Sequence, residues 1–465
     1  MAFTEELEET EKDKKQRKKL KDSGILSNGC FEAVYDSDKP YFLRLNGGSF
    51  SLVETIEFAE ETISPKERQN IPYEPYGYCK QETPGREELA RQVRNEFETW
   101  IDVEPIWKDV LTACTLLTYQ QEKLQTVPYL FCYGDNESGK STVLQVLKSL
   151  CYRPMYGVTI PSADLYGYLE DSDGQGCILE DEVQGIQKDT DKIKIYKAGY
   201  KEGAVVPRTL MTNFTRIIKY YRTFCFKACA SEQIPQVKGF NERFMFLSMV
   251  EGSPQKEWCD LSRTDKERIR TLRNMLLKWR MTSRQEDLPN VELTVKGRLK
   301  ELWKPILQIT SDLPIYSDLY RFVEDQRKAR LSGRQDTLEG KIVKVVVDLC
   351  NEAQIDSKAQ IYSLPLKKIW EELGLELDGK LNENKPNEMD TGDFFKVTKN
   401  KVGYRLREVI SGKSKAMREK DSEGKDVVVR GYEFDLIKLR KVAKKYGYEL
   451  VTKLQSLLSS EGALP

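Results

Sequence analysis

Residues 134–141 have the spacing of a loop that binds nucleotide phosphates. Gly134, Gly139, Lys140 and Ser141 fit G-x-x-x-x-G-K-[ST], between an apolar segment (Val127 to Tyr133) and a segment with helical spacing. Glycines let the backbone aim its N–H groups at phosphate oxygens, and the positive end of the following helix adds to the attraction. Lys140 is predicted to reach the β- and γ-phosphates, and Ser141 to hold Mg²⁺. The predicted nucleotide-binding loop is Gly134, Asp135, Asn136, Glu137, Ser138, Gly139, Lys140, Ser141 and Thr142.

Three acidic residues follow a second apolar segment, about 40 residues after the loop. Residues 177–179 are predicted to form a buried strand that ends in Glu180, Asp181 and Glu182. A nucleotide hydrolase needs a carboxylate beside Mg²⁺ and usually another that orients water. Asp181 is therefore the predicted metal ligand and Glu182 the predicted base. Glu180 stands where a further apolar residue would be usual, so a shift of register by one residue stays open, as does a plain acidic turn.

The composition excludes several kinds of chemistry. The 465 residues include no histidine, which excludes histidine bases, Ser-His-Asp triads and Cys/His zinc sites. Lys plus Arg (74) equals Asp plus Glu (74), so any polyanion site must be local. None of the ten cysteines forms C-x-x-C, and we expect them reduced, mostly in the core. The charged start has no signal-peptide pattern and no apolar run reaches about 18 residues, so we expect a cytoplasmic protein with no membrane contact.

Changes in periodicity and composition divide the chain into seven segments. They are a charged tail (1–28), a small β-rich domain (29–85), a helical linker or collar (86–126), an ATPase core (127–253), a helical lid (254–336), a winged-helix DNA-binding domain (337–450) and a tail (451–465). Strands alternate with helices in the core, which predicts an α/β fold with a parallel sheet.

Several short sequence elements follow the acidic residues in a characteristic order. They are Ala198-Gly199-Tyr200, Gly203-Ala204, Arg208, Phe226-Lys227 and Arg243, followed by "KGRLKELWKPILQI". This order resembles the helicase-like ATPases (superfamily 3, AAA+ type) of plasmids, viruses and integrated elements, which are often coupled to primases. The resemblance covers roughly residues 90–310. It implies a P-loop NTPase core with an AAA+/RecA-like sheet, ATP and Mg²⁺ as cofactors, and a homo-oligomer, a hexamer, around DNA. The departures are Glu180 and Ser231-Glu232, where the family usually has small residues.

Three further residues are predicted to sense the nucleotide. Ser231 ends a third apolar segment, at the place where ring ATPases put a polar residue against the γ-phosphate and the attacking water. Arg243 comes directly before another buried strand and is predicted to reach a γ-phosphate across a subunit boundary, where an arginine stabilises transition-state charge. The alternative for Arg243 is a structural ion pair. By the resemblance, Arg298 is a candidate second sensor.

The segment "GAVVPRTLMTNFTRIIKYYRTF" is predicted to form two strands around a Thr-Asn turn. In hexameric helicases a hairpin at this place points into the central channel. Arg208, Arg216 and Lys219 are therefore predicted to contact DNA phosphates, with Tyr220 or Tyr221 stacking or packing. An edge hairpin with ordinary surface cations is the alternative.

The C-terminal region is predicted to contain three amphipathic helices followed by a hairpin, which is the winged-helix order. Residues 395–430 hold eleven Lys/Arg against five Asp/Glu, an informative excess in a neutral chain. The third helix would enter the major groove, with Lys399, Lys401 and Arg405 as predicted DNA contacts. A winged helix used for protein contacts is the alternative.

These patterns favour a DNA-dependent ATPase, a ring-forming replicative helicase or motor, with a primase or other replication proteins as candidate partners. Two alternatives stay open. One is an ATP-switched DNA-binding initiator or regulator that separates no strands. The other is a protein-remodelling ATPase.

Overall fold

The computed structural model describes most of the chain, in two compact units. The described residues are 19–58, 61–67, 76–172, 175–183, 185–212, 215–356, 359–377, 380–381, 387–391, 397–420 and 424–451. The first unit extends to Val323 and the second begins at Glu324. This boundary falls earlier than the predicted domain start at residue 337. Most of both predicted tails lies outside the described residues.

The N-terminal domain consists of two small sheets. Its strands are β1 (Lys19–Lys21), β2 (Ser23–Leu26), β3 (Gly29–Asp36), β4 (Lys39–Asn46), β5 (Ser49–Val53), β6 (Ile56–Phe58) and β7 (Glu61–Pro65). Strands β2 to β5 form one antiparallel sheet, and β1, β7 and β6 form the other. The predicted β-rich character is therefore found, but it begins at Lys19 rather than residue 29. The charged segment of β1 pairs with β7, more than forty residues away, and local patterns do not show such a pairing.

A buried carboxylate ties this domain to the rest of its unit. Glu32, on β3, is fully buried and forms ion pairs with Arg153 (2.8 Å) and Arg280 (3.0 Å). The hydroxyl of Tyr152 donates a hydrogen bond to Glu32 at 2.8 Å. Burial alone would raise the pKa of Glu32, but three neighbouring guanidiniums hold the pKa below its usual value. The N-terminal domain is thus fixed to segments far along the chain.

The core of the first unit is a five-stranded parallel sheet with helices around it. The helices are α1 (Arg86–Trp100), α2 (Pro105–Thr118), α3 (Lys140–Leu150), α4 (Ser162–Asp171) and α5 (Thr190–Ala198). The strands of this region are β8 (Tyr129–Tyr133), β9 (Pro154–Val158), β10 (Cys177–Asp181), β11 (Val205–Thr212), β12 (Thr215–Arg222), β13 (Phe226–Ser231) and β14 (Phe244–Ser248).

The sheet order is β14-β8-β13-β10-β9, and every neighbouring pair is parallel. Strands covered on both faces carry almost uninterrupted apolar runs, as β8 and β13 do here. All five strands end at the same edge, so the residues that follow β8, β10 and β13 converge there. The predicted parallel α/β core is therefore found.

Strands β11 and β12 form a separate antiparallel hairpin, as predicted, although its turn at residues 213–214 lies outside the described residues. The register pairs Arg208 with Lys219 and Val206 with Tyr221. Val206 and Tyr221 are buried, so this is the inner face. The other face exposes Ile218 and Tyr220 to solvent.

Three helices follow the core: α6 (Arg263–Ser283), α7 (Arg298–Thr310) and α8 (Tyr316–Gln335). Ser262 and Asp265 form a capping box that begins α6. Helix α6 is bound to α1 by Arg268, which pairs with Glu96 at 2.7 Å, and to the N-terminal domain through Arg280. Helix α6 therefore holds α1 and the N-terminal domain together.

The second unit has its own core. Its elements are α9 (Leu338–Glu352), β15 (Ile361–Pro365), α10 (Leu366–Glu376), β16 (Lys380–Leu381), β17 (Glu388–Asp390), β18 (Val397–Thr398), α11 (Lys399–Ile410), β19 (Lys413–Lys420), β20 (Asp426–Asp435) and α12 (Leu436–Lys445). Strands β15, β20 and β19 form an antiparallel sheet, and β16 to β18 form a small second one. Buried residues of α9, α10 and α11 pack together with Tyr432 and Phe434 of β20.

Nine of the ten cysteines are buried, and Cys259 is exposed. No helix among the described residues has the length and apolar character needed to cross a membrane.

Candidate nucleotide site

The loop between β8 and α3 has the backbone shape of a phosphate cradle. Gly139 has φ +84°, a left-handed conformation that favours glycine, and it caps the start of α3. At Gly134 a Cβ atom would lie 2.1 Å from the carbonyl oxygen of Met249, so no side chain fits. Both glycines of the predicted motif are therefore required by the fold of the loop.

The side chain of Lys140 folds back over the phosphate loop. Its ammonium group donates hydrogen bonds to the carbonyl oxygen of Gly134 (2.9 Å) and to Oγ of Ser138 (3.3 Å). These are exchangeable partners, because a phosphate oxygen is a stronger acceptor for an ammonium group than a neutral carbonyl or hydroxyl. Lys140 and Ser141 also begin α3, whose first N–H groups have no partner within the helix.

Asp181 is oriented by its neighbours at the end of β10. The hydroxyl of Tyr156 donates to Oδ2 of Asp181 at 3.3 Å, and the backbone N–H of Glu182 donates to Oδ1 at 3.1 Å. Burial, and then the charge of Asp181, raise the pKa of Tyr156, which keeps its hydroxyl a donor. Asp181 is buried beside the loop, as the predicted metal-side carboxylate requires.

Glu182 has an unusual backbone. Its φ is +52°, in the left-handed region that non-glycine residues rarely adopt. Such strain persists where surrounding structure enforces it and is concentrated at functional sites. The conformation turns the chain away from β10 directly after Asp181, and Glu182 itself is exposed at the mouth of the cavity.

Glu180 belongs to the opposite side of β10. It is fully buried and accepts hydrogen bonds from Lys192 Nζ (2.5 Å) and the Tyr196 hydroxyl (2.9 Å), both on α5, and from the backbone N–H of Ile160 (2.9 Å). Burial raises the pKa of Glu180, and these partners oppose that effect. This explains a charged residue in an apolar strand. The next two residues, Asp181 and Glu182, line the cavity beside the loop.

Ser231 ends β13, which lies between β8 and β10. It is buried, and its Oγ has no hydrogen-bond partner among the described residues. A buried hydroxyl without a partner is costly unless a ligand or a water molecule supplies one. Ser231 is aligned with Tyr133 in the register of the sheet, so its hydroxyl lies between the loop and the carboxylates.

A cavity of about 430 Å³ brings these residues together. Besides loop residues, Asp181, Glu182 and Ser231, two segments form its walls. They are Trp100, Ile101 and Asp102 at the end of α1, and Met249, Val250, Glu251, Gly252, Pro254 and Glu257 after β14. Asp102 accepts a hydrogen bond from the N–H of Ser253 at 2.8 Å, which joins the two walls.

Sequence reasoning missed these walls and Tyr156. The cavity is closed by the end of α1 and by residues 249–257, whereas α6 and α7 contribute no residue to it. A long-range contact between residues 102 and 253 leaves no local pattern in the sequence. Tyr156 lies on β9, for which the sequence analysis singled out no motif.

The cavity fits a nucleoside triphosphate with Mg²⁺. At Gly134 the loop is so close to Met249 that a Cβ would not fit, and the Ser231 hydroxyl has no partner among the described residues. Ser141 and Asp181 line the cavity with oxygen atoms, the ligands that Mg²⁺ prefers.

Arg243 lies at the other edge of the sheet. It directly precedes β14, whose first residue pairs with Tyr129 at the start of β8, while Ser248 pairs with Tyr133 beside the loop. At ~3.3 Å per residue, the strand separates Arg243 from the phosphate loop by about 13 Å or more. Arg243 therefore does not belong to the cavity of its own chain.

The guanidinium of Arg243 is held in place. Its Nε donates to the carbonyl oxygen of Lys197 at 3.1 Å, and NH1 donates to the carbonyl oxygen of Gly239. It also lies over the ring of Tyr200, 5.7 Å from the centroid. Burial, followed by the charge of Arg298, lowers its pKa.

Arg298 is brought to Arg243, and not to the cavity of its own chain. It lies 5.5 Å from the centroid of the same Tyr200 ring and pairs with Glu301 at 2.5 Å. Arg298 as a second sensor stays a prediction, and in its own chain this residue lies beside Arg243 because α7 begins at the amino edge of the sheet. The two guanidiniums lie on one ring, and Arg298 is also 3.7 Å from the carboxylate of Glu242.

The predicted DNA contacts of the hairpin fall on different faces. Arg208 lies over the ring of Tyr166 at 5.0 Å, and Lys219 pairs with Glu170 at 3.0 Å, so both are held against α4. Arg216 is exposed on the outer face, where Tyr220 also lies.

In the second unit, the predicted contacts Lys399 and Arg405 interact with side chains of the same unit. Lys399 lies over Trp370 at 5.6 Å, and Arg405 pairs with Glu339 at 2.8 Å. Lys401 is half-buried in the first turn of α11. Sequence reasoning missed Tyr404, which is exposed on this helix.

No protein-family model and no curated protein sequence matches the chain. Solved structures with partial likeness include the apo C-terminal region of NrS-1 (11% identity, 86% of this chain and 96% of that chain, TM-score 0.36). Others are the SCCmec type IV Cch active helicase (13%, 94% and 82%, TM-score 0.37) and a full-length MCM homolog from Methanopyrus kandleri (12%, 65% and 76%, TM-score 0.31).

Proposed function

We propose that this protein is an ATP-hydrolysing motor that acts on DNA as a ring of identical subunits. The observation that carries the proposal is the separation of hydrolytic groups between the two edges of one sheet. The phosphate loop, Asp181, Glu182 and Ser231 lie at the carboxyl edge, and Arg243 with Arg298 lies at the amino edge.

Each group at the carboxyl edge has a role in hydrolysis. Lys140 would bind the β- and γ-phosphates, and Glu182 would orient the attacking water and accept its proton. Ser231 would donate its hydroxyl hydrogen to a γ-phosphate oxygen or to that water. Mg²⁺, bound by Ser141 and Asp181, neutralises phosphate charge when present.

The arginines at the amino edge support assembly. Neither reaches the cavity of its own chain, yet both carry a fixed positive charge beside an aromatic ring. If the amino edge of one subunit faces the carboxyl edge of the next, each cavity gains a guanidinium to stabilise charge on the transferred phosphoryl group. Such a contact is head-to-tail, and it generates a closed ring when the rotation between successive subunits closes on itself. We propose that it does so as a hexamer.

Two regions support DNA as the partner. The outer face of the β11–β12 hairpin carries Arg216 with exposed Tyr220, a combination that binds phosphates and stacks on bases. In the second unit three helices (α9, α10 and α11) precede the β19–β20 hairpin, with β15 and the short strands β16 to β18 between them and α12 after it. This order supports a winged helix with α11 as the groove-reading helix.

The test is the rate of ATP hydrolysis with no DNA, with single-stranded DNA and with duplex DNA, together with the mass of the protein with a non-hydrolysable ATP analogue. We expect stimulation by DNA and a ring-sized mass. The proposal would be contradicted if DNA did not change the rate of hydrolysis and if the protein had the mass of a monomer under all conditions.

A DNA-binding initiator that uses ATP only for assembly is the second candidate, favoured by the four basic residues of β19 (Lys413, Lys415, Arg418 and Lys420). Sequence-specific duplex binding without strand separation would identify it. A protein-remodelling ATPase would show no DNA stimulation, and its activity would survive replacement of Lys399, Lys401 and Arg405.

A further inference from the structure

The buried carboxylate of Glu180 links the two edges of the sheet through α5. Glu180 directly precedes the catalytic carboxylates but points away from the cavity, toward Lys192 and Tyr196. We call these three residues the Glu180 clamp. Lys192 is buried, so the pair is an ion pair removed from water.

Helix α5 runs from one edge of the sheet to the other. It begins at Thr190, a few residues after Glu182, and ends at Ala198. Its nine residues span about 13 Å at 1.5 Å per residue, which matches the length of a five-residue strand. The carbonyl oxygen that receives Nε of Arg243 belongs to Lys197, in the last turn of α5.

Tyr196 contacts both ends of this connection. Its hydroxyl binds Glu180, and its ring packs on Phe240 (5.5 Å between centroids) and Phe244 (6.3 Å). These two phenylalanines flank the short turn Asn241–Arg243. One side chain therefore joins the strand of the catalytic carboxylates to the turn that carries Arg243.

We propose that the Glu180 clamp positions Arg243 relative to the catalytic carboxylates of the same chain. It thereby links the cavity of each subunit to the arginine that this subunit presents to its neighbour. The inference rests on the proposed ring ATPase. It assigns a role to Glu180, which departs from the family pattern and touches no nucleotide in the proposed site.

A buried ion pair adds little to the stability of the packing between two elements, because the free-energy cost of removing both charges from water offsets much of their attraction. Apolar residues of similar size would stabilise the same contact as well or better. The advantage of the ion pair is direction: a carboxylate with three hydrogen-bond donors fixes β10, α5 and the Ile160 loop in one arrangement. A shift of β10 when the cavity binds or releases phosphate would therefore move α5 and Arg243 with it.

The test uses mixed rings. A Lys140→Ala chain has no working cavity but presents Arg243, and an Arg243→Ala chain has a working cavity but presents no arginine. Each alone should be inactive, and a mixture should recover ATP hydrolysis at the interfaces that combine both intact halves. Tyr196→Phe, which removes only the hydroxyl, is then added to one chain or the other.

We expect Tyr196→Phe to lower the kcat of the mixture about fivefold when it is carried by the Lys140→Ala chain, which donates the arginine, and less than about twofold on the other chain. The KM for ATP should change little. Glu180→Gln should show the same asymmetry, whereas Asp191→Asn, which alters an exposed ion pair of α5, should show no effect on either chain. Thermal unfolding of each variant checks folding.

Equal effects on both chains, or no effect, would overturn the clamp as a positioning device while leaving the ring ATPase intact. Failure of the unmodified mixture to recover hydrolysis would overturn the shared site and the clamp together.

Discussion

The two edges of the central sheet differ in how well their polar groups are satisfied. At the carboxyl edge the Ser231 hydroxyl has no partner among the described residues, Glu182 has a strained backbone, and Lys140 binds exchangeable loop acceptors. At the amino edge Arg243 donates to two carbonyl oxygens and lies on a ring that it shares with Arg298. The carboxyl edge therefore has polar groups that a ligand could satisfy, whereas the side chains at the amino edge already have partners that fix their positions.

This difference supports the proposal that a neighbouring subunit completes the site. Groups that lack partners need a ligand, and positive groups held far from that ligand need a neighbour's cavity to act. The following substitutions test the two edges separately, from the largest expected effect to the smallest.

Lys140→Ala should reduce ATP hydrolysis by at least about 10³-fold, because the carboxyl edge loses its only described loop cation for the β- and γ-phosphates. Lys194→Ala, an exposed lysine on α5, is the matched control and should hydrolyse ATP normally. Steady-state phosphate release measures both variants. Normal turnover by Lys140→Ala would remove the carboxyl edge from consideration as the active site.

Arg243→Ala should reduce turnover by about 10³-fold while ATP binding to the carboxyl edge persists, since the lost group belongs to the amino edge. Arg298→Ala should cost less, about tenfold, because Glu301 already neutralises part of its charge. Arg263→Ala, at an exposed position on α6, is the control.

Fluorescent-nucleotide titration alongside the phosphate assay separates binding from turnover in these variants. Loss of binding in Arg243→Ala would mean that the two edges are not separate in the way described.

Two adjacent carboxylates of β10 should respond in opposite ways to amide substitution. Glu180→Gln should lower the free energy of unfolding by about 3 kcal/mol, since Lys192 keeps a buried charge without its counter-ion. Asp181→Asn should leave stability within about 0.5 kcal/mol and abolish Mg²⁺-dependent hydrolysis. Urea unfolding monitored by tryptophan fluorescence measures the stability difference; equal losses would show that both carboxylates are structural.

Tyr156→Phe should raise the Mg²⁺ concentration needed for half-maximal hydrolysis about tenfold, because Asp181 loses the hydroxyl that orients it. The maximal rate at saturating Mg²⁺ should fall much less. Tyr362→Phe, in the second unit, serves as the control. An unchanged Mg²⁺ requirement would mean that the N–H of Glu182 orients Asp181 by itself.

The sequence predicted the parts of the site that have local patterns. The phosphate loop, the acidic residues, Ser231 and the hairpin follow from short motifs and from strand periodicity, and the structure brings the first three into one cavity. Other features depend on partners distant in the chain. The wall at Asp102 is set by Ser253, the strand at Lys19 by Ile63, and the position of Arg298 by the packing of α7 at the amino edge. Glu180 looked like an error of register because its buried partner, Lys192, lies on a different element.

The buried cluster around Glu32 also determines when the N-terminal domain can complete its contacts during translation. Glu32 and Arg280 are 248 positions apart, so during translation the carboxylate leaves the ribosome long before its partner exists. At about 5–20 residues per second, the interval is on the order of 10–50 s. Arg153, the other ion-pair partner, is made 121 positions after Glu32, so the carboxylate of the nascent N-terminal sheet stays unpaired in water for about the first half of that time. The first segment of the chain to be made is therefore among the last to be locked in place.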